Sequence, residues 1–350
     1  MKSRMLLKRR AFLGSSAASL VALGITGCGS EPHPVTIDRQ LPVGPFGAES
    51  TAEEVTEGLD LRGKLALVTG ATSGLGLETL RVLALRGARV IATGRTEEKA
   101  REACRSVPGD TVPMALELSD FSSIVQCAEQ FSALQQPLDI LVCNAGINTF
   151  GELELVNGVE RMFAVNHLGH FLLVNRLLPS LQQSSAARIV HVGSRSGYMQ
   201  APAAGIDFDN LRGEKYFDAG EAYGRSKLAN ALFSLELAHR LAGSTVSSNV
   251  IHPGLVQTNI VRTAPVWIRG AFDLFGGIVA KTPAQGAATQ TYVATAPRLA
   301  GVAGAYFEDC NPVHVGGVHH MYDAPMAARL WALSEELCAD HLGSPLKGSS

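Results

Sequence analysis

No two cysteines in this chain are separated by two residues, and the six present, at 28, 104, 127, 143, 310 and 338, follow no regular spacing. That excludes a zinc ribbon and a disulfide scaffold. Neither sign of charge dominates: 30 Lys and Arg stand against 32 Asp and Glu, a formal net charge of −2. A chain so close to neutral has no general attraction for nucleic acid, and none is expected as a partner. The apolar stretch 11–26 is too short for a spanning helix. No internal repeat is visible. The histidines lack converging donors: His167 and His170 share a helix face, while His319 and His320 sit in a glycine-bearing loop near His314. No metal is expected.

What is present is organised around residues 64–76, KLALVTGATSGLG. Leu65, Ala66, Leu67 and Val68 run without polar alternation, as in a strand buried on both faces. Apolar positions Leu77, Leu80, Val82, Leu83 and Leu85 then follow a helical period. Strand, glycine-rich turn and helix are the setting of a dinucleotide site. Gly70 permits the tight turn, Gly74 lets the backbone approach a pyrophosphate, and Gly76 allows close helix packing. Thr72, Ser73 and Leu75 complete the cofactor-binding loop. The spacing is Gly-x-x-x-Gly-x-Gly rather than the commoner Gly-x-Gly-x-x-Gly.

A second buried strand, 88–93, ends in Gly94-Arg95. An acidic residue at this tip binds the ribose 2′-hydroxyl of NAD, whereas an arginine accommodates the 2′-phosphate of NADP. No Asp or Glu occupies Thr93, Gly94 or Arg95, so the sequence predicts NADP, held in part by Arg95. A charged helix (97–106), a strand (111–118), an amphipathic helix (121–134) and a fourth strand (139–143) follow, the last ended by Asn144-Ala145-Gly146. This alternation predicts an α/β fold: a single Rossmann-type, doubly wound parallel sheet with helices on both faces. The chain of 350 residues is long enough for one large domain of this kind.

The chemistry lies further along. A long helix is predicted over 163–181, a fifth strand over 188–192 followed by Gly193-Ser194, and a second long helix from Tyr223 to about Leu241. Residues four apart share a helix face, so Tyr223 and Lys227 point into one cleft. A free phenol titrates near ~10, and a neighbouring cation favours the phenolate. Tyr223 is thereby suited to exchange a proton with a substrate oxygen while hydride moves to or from a nicotinamide.

Thr69-Gly70-x-x-x-Gly74-x-Gly76, Asn144-Ala145-Gly146, Asn166, Ser194, Tyr223/Lys227 and Pro253-Gly254 occur in one order. Together they resemble the short-chain dehydrogenase/reductase family over residues 61–336. The retinol-dehydrogenase-like branch, which includes the WW-domain-containing oxidoreductase, is resembled at Val165-Asn-His-Leu-Gly-His-Phe171, Asn210-Leu-Arg-Gly-Glu-Lys215 and Gly304-Ala-Tyr-Phe-Glu-Asp-Cys310. The resemblance implies that Tyr223 is the general acid/base and that Lys227 lowers its pKa and holds the nicotinamide ribose. Ser194 would bond the substrate oxygen, and Asn166 would position a relay water. Asn144, Ala145 and Gly146 would line the cofactor site, with Pro253, Gly254 and Thr258 beside the nicotinamide. Glu117 stands where the family usually has an Asp near the adenine. The long stretch between Ser194 and Tyr223 is expected beside the substrate mouth. Trp267, Phe272 and Phe275 fall in a region that lids the substrate in the family, which implies a lipophilic alcohol or carbonyl. A homodimer through the two long helices is also implied.

At the other end, Lys2, Arg4, Lys8, Arg9 and Arg10 precede the apolar stretch. Arg9-Arg10-Ala11-Phe12-Leu13 resembles a twin-arginine export signal, and Ile25-Thr26-Gly27-Cys28 a bacterial lipobox. The expected organisation is a signal peptide (1–27), a flexible Pro- and Gly-bearing tether (28–60) lipid-anchored at Cys28, the NADP-binding domain (61–343) and a disordered tail (344–350). The protein is expected outside the cytoplasmic membrane. The alternative to an enzyme is an exported lipoprotein that retains NADP as a binding or sensing ligand without turnover.

Overall fold

The computed structural model describes residues 33–256 and 280–343. Nine strands among them form one sheet: β1 (Val35–Ile37), β2 (Leu65–Val68), β3 (Arg89–Gly94), β4 (Thr111–Ala115), β5 (Ile140–Cys143), β8 (Ala187–Val192), β9 (Val246–His252), β10 (Tyr306–Glu308) and β11 (Asn311–Val315). A separate hairpin comprises β6 (Leu155–Val156) and β7 (Val159–Glu160). The order across the sheet is β1-β11-β10-β9-β8-β5-β2-β3-β4. From β10 to β4 every pairing is parallel, and β11 and β1 close one edge antiparallel. The chain winds outward from β2 in one direction and from β5 in the other. This reversal opens a crevice beyond the carboxyl ends of the strands, where ligands bind in such sheets.

The predicted strand β2 is fully buried, and its side chains serve two cores by simple alternation. Leu67, Leu141 and Ile189 enter one layer with Phe171 and Trp331, whereas Ala66, Val68, Val142 and Val190 enter the other with Leu80 and Leu83. The helices on the faces are α1 (Gly74–Leu85), α2 (Glu97–Ser106), α3 (Phe121–Ser132), α4 (Arg161–Phe163), α5 (Gly169–Gln182), α6 (Ser196–Met199) and α7 (Ala219–Arg240). Several begin at side-chain caps: Thr96 accepts from the Lys99 amide, Asp120 from Ser122 and Asp218 from Glu221. The last cap starts α7 four residues before Tyr223, so Tyr223 lies within a formed turn. The long helix expected over 163–181 is not continuous. A π turn, Ala164–Leu168, separates α4 from α5 and contains Asn166. Such insertions recur at functional sites because they redirect a carbonyl or side chain.

One expectation is corrected. Residues 33–60 are not a free tether. β1 pairs with β11, Ala52 and Thr56 are fully buried, and the Arg86 side chain donates to the Glu53 carbonyl and the Thr56 hydroxyl. The segment lacks a period because isolated anchors, not a continuous face, hold it to the domain. Residues Ala222 to Ser234 of α7 are all buried within the chain itself. The helix Ala324–Leu337 lies against α5 and α7: its Trp331 ring is 5.0 Å from Phe171 and 5.7 Å from Phe233. Among the described residues no helix is long and apolar enough to cross a membrane. Arg9, Arg10, Cys28, Thr258, Trp267, Phe272, Phe275 and the tail 344–350 lie outside the described residues.

Candidate active site

The loop between β2 and α1 forms the expected cradle. Gly70 and Gly74 have φ of 64° and 55°, a region that disfavours a side chain. Ser73 stands at the N-cap of α1 with no side-chain cap bond, which leaves the first amides of a twelve-residue helix directed at the crevice. Thr72 and Leu75 pack the loop outward: Thr72 meets the β3 tip at Gly94, and Leu75 meets Gly286. Gly94 has no room for a side chain, since a β-carbon there would lie 2.7 Å from Thr72 Cγ2. Arg95 follows it, exposed, at the position expected for the adenosine end. Glu117 turns its carboxylate to the Ser119 amide and hydroxyl at 3.0 and 2.7 Å.

Under the cradle lies a polar seam. Thr69 Oγ1 accepts the amides of Asn144 and Ala145, both at 2.9 Å, and Asn144 Nδ2 donates to the Thr69 carbonyl at 2.8 Å. Asn144 and Ala145 therefore fix the floor through their own backbone. Gly146 is next, where a β-carbon would lie 3.3 Å from Asn166 Oδ1 and 3.4 Å from Lys227 Nζ. The absence of a side chain keeps this approach open.

Ser194, Tyr223 and Lys227 converge at the end of β8. Lys227 is 3% exposed, and its Nζ donates to the Val192 carbonyl at 3.0 Å and lies 5.7 Å from the centre of the Tyr223 ring. Burial lowers the Lys227 ammonium to about 8 and pushes the Tyr223 phenol up to about 12, against a hydrogen bond from Ser194 that pulls it down. The expected lowering of Tyr223 by Lys227 is not what governs the phenol; desolvation is. A buried ammonium that gives one proton to the Val192 carbonyl fits the hydroxyls of a ribose, and an uncapped helix start fits a pyrophosphate. The residues present thus fit a nicotinamide dinucleotide. Pro253 and Gly254 continue from β9, with Gly254 at φ 90° beneath the Lys281 side chain.

The Asn166 amide makes three hydrogen bonds within the chain. Oδ1 accepts from the Ile147 amide at 2.8 Å, and Nδ2 donates to the Ile147 carbonyl at 2.9 Å and to Ser226 Oγ at 3.0 Å. Ser226 in turn donates to the Tyr223 carbonyl at 2.8 Å. Asn166 thus ties the loop after β5 to the turn carrying Tyr223. Other participants are not marked by the sequence motifs. Gly197 and Gly224 let α6 and α7 meet closely, since a β-carbon on Gly224 would lie 2.4 Å from the Gln200 and Ala201 backbone. That contact places Ser194 beside Tyr223. Glu308, 3% exposed, holds Arg195 at 2.6 Å, Tyr198 at 3.2 Å and Tyr306 at 2.9 Å, securing the turn after Ser194. A lone Glu in an apolar strand is the signal for it.

A doubly wound sheet with a glycine cradle at its switch point and a Tyr/Lys/Ser group beside it defines a dinucleotide-dependent oxidoreductase. The profile of the short chain dehydrogenase family matches residues 64–206. Retinol dehydrogenase 14 of Homo sapiens is 38% identical over 295 residues, covering 79% of this chain and 86% of that protein. The WW domain-containing oxidoreductase of Gallus gallus is 38% identical over 308 residues, covering 85% and 73%. The solved Pseudomonas aeruginosa RhlG/NADP active-site complex is similar with a TM-score of 0.57 and 27% identity, over 71% of this chain and 95% of that one. The chain belongs to the short-chain dehydrogenase/reductase family and is an NAD(P)-dependent oxidoreductase.

The layer behind the site carries a pH liability. His167, His170 and His191 are at most 2% exposed, and burial holds them down to about 3, 4 and 3. Their folded pKa values lie below the ordinary 6.5, so the unfolded chain binds more protons as pH falls below that value. Stability is therefore complete above about pH 6.5 and lost on acidification, by up to roughly 1.4 kcal/mol per histidine per pH unit. The urea midpoint should drop between pH 6.5 and 5, ahead of most carboxylate titration. An unchanged midpoint over that window would contradict the neutral assignment.

Proposed function

We propose that this protein interconverts a lipophilic alcohol and the corresponding aldehyde or ketone with NADP. The observation that carries the reading is the buried Lys227, donating to the Val192 carbonyl and set against the Tyr223 ring at the open edge of Gly146. When bound, the nicotinamide supplies or takes the hydride. Lys227 and the first amides of α1 hold the ribose and the phosphates. Ser194 orients the substrate oxygen, and Tyr223, neutral near pH 7, gives that oxygen its proton in the reducing direction. In the oxidising direction the same phenol must first lose its proton, which burial opposes.

Arg95 and the closed space at Gly94 support NADP over NAD. A guanidinium is available for a 2′-phosphate, and no acidic group can be seated at Gly94 to bind a free ribose hydroxyl. A lipophilic substrate is supported by exposed Met199 and Tyr216 in the stretch between Ser194 and Tyr223, and by the similarity to retinol dehydrogenases. The signal at Arg9-Arg10 and Cys28 supports export followed by lipid attachment, with the cofactor acquired before export by a domain that is already folded.

Four outcomes check the reading. Tyr223→Phe should leave NADP binding intact and cut turnover of an apolar aldehyde by ~10²- to 10⁴-fold, measured as NADPH oxidation; near-parent turnover would overturn it. In the parent, reduction should be flat with pH near neutrality and decline above about 8 as Lys227 loses its charge. Arg95→Ala should weaken NADP at least about tenfold while leaving NAD nearly unchanged, by calorimetry, since only NADP has a charge-assisted contact to lose. Finally, Arg9→Lys with Arg10→Lys should retain the precursor in the cytoplasm, and Cys28→Ala should be exported without lipid, both read by fractionation. Normal export of the double-lysine variant would remove the pathway assignment.

A further inference from the structure

His170 has no part in the proton exchange described above, yet it sits between its two halves. It is 2% exposed on the first turn of α5, immediately after the π turn. Nε2 lies 3.0 Å from Thr69 Oγ1, and Nδ1 lies 3.0 Å from the Asn166 carbonyl. Thr69 Oγ1 is the atom that accepts the Asn144 and Ala145 amides. With both of those amides directed at it, the hydroxyl has one proton left to give. His170 Nε2 at 3.0 Å is a better acceptor position than the Val142 carbonyl at 3.4 Å. Nδ1 then carries the ring proton and donates it to Asn166. The opposite tautomer would set a bare Nδ1 against a carbonyl oxygen inside a buried site, where an unmatched pair is costly.

We propose that His170 is a positioning residue that braces the cofactor floor against the catalytic π turn, through Thr69 on one side and the Asn166 carbonyl on the other. The inference rests on the oxidoreductase reading for its effect on turnover, but its geometry and its effect on cofactor binding do not require turnover. Charged or titratable neighbours are Lys227 on α7, His167 in the π turn and His191 on β8. Burial together with the Lys227 ammonium keeps the imidazole neutral, as the brace requires: a second ring proton would be driven at the Thr69 oxygen.

The two bonds can be separated, because this helix shows what an asparagine does here. Asn175 Nδ2 donates to the Phe171 carbonyl four residues back at 2.8 Å. His170→Asn should likewise reach the Asn166 carbonyl while being too short to meet Thr69. His170→Phe keeps ring volume and loses both bonds.

The experiment measures NADP affinity by calorimetry, kcat with an apolar aldehyde, and the ring tautomer by nitrogen NMR of the labelled protein. His170→Phe should weaken NADP and lower kcat, each by up to about tenfold, the scale of one buried hydrogen bond. His170→Asn should recover most of the lost kcat but not the lost affinity. Thr69→Val should weaken NADP, and combining it with His170→Phe should cost little more affinity, since both remove one shared contact. The parent spectrum should show a proton on Nδ1 at neutral pH. A proton on Nε2, parent-like binding in His170→Phe, or full additivity with Thr69→Val would each overturn the proposal. If His170→Phe does not fold, His170→Asn and Thr69→Val decide by the affinity each retains. A Tyr223→Phe enzyme with full turnover would sink the catalytic reading alone and leave the binding and tautomer results to judge the brace.

Discussion

A β-carbon on Gly76 would lie 2.2 Å from the Gly70 carbonyl and 2.6 Å from Asn144 Nδ2. This crowding is the constraint on which the site depends. The first turn of α1 must press against the end of β2, and the end of β5 must press against both. Only then does the start of α1 face the crevice and the strip Asn144–Gly146 form its floor. Thr69 provides the matching polar contact, since one hydroxyl accepts two successive amides of that strip. Substitution at Gly76 would displace the phosphate cradle and the floor together.

Electrostatics follow from that packing. A site lined by buried backbone and apolar layers raises the cost of charge, so Lys227 is held down to about 8 and Tyr223 up to about 12. Both shifts favour neutral forms, and together they leave a protonated phenol beside a cation that remains largely charged at neutral pH. That is the state needed to deliver a proton to a developing alkoxide. The same desolvation reaches the histidine layer behind the site, so the environment that tunes the chemistry also makes the fold sensitive to acid.

Fold class, sheet winding and the positions of the cradle, Tyr223 and Lys227 were legible because they depend on local spacing. The buried run 65–68, glycines at fixed intervals and residues four apart on a helix constrain structure without reference to distant parts of the chain. The reading failed where distant contacts decide. Residues 33–60 lack periodicity yet are held by β11 and Arg86. The tie that the Asn166 amide makes to Ile147 and Ser226 is marked by no local spacing. The packing of Trp331 against both long helices is likewise marked by no local spacing.

The sequence by itself determined the alternation of strand and helix, the glycine cradle, the arginine at the β3 tip and the Tyr-x-x-x-Lys pair, since each is encoded within a few residues. Tertiary structure alone decided how Ser194 meets Tyr223 across a long intervening stretch, through the close contact allowed by Gly197 and Gly224. It also decided the protonation tendencies of the site, which come from burial. The pairing of His170 with Thr69, 101 positions apart, belongs to the same class. Hydrogen-bond partners and dielectric surroundings are set by what the folded chain brings near, and no local spacing specifies them.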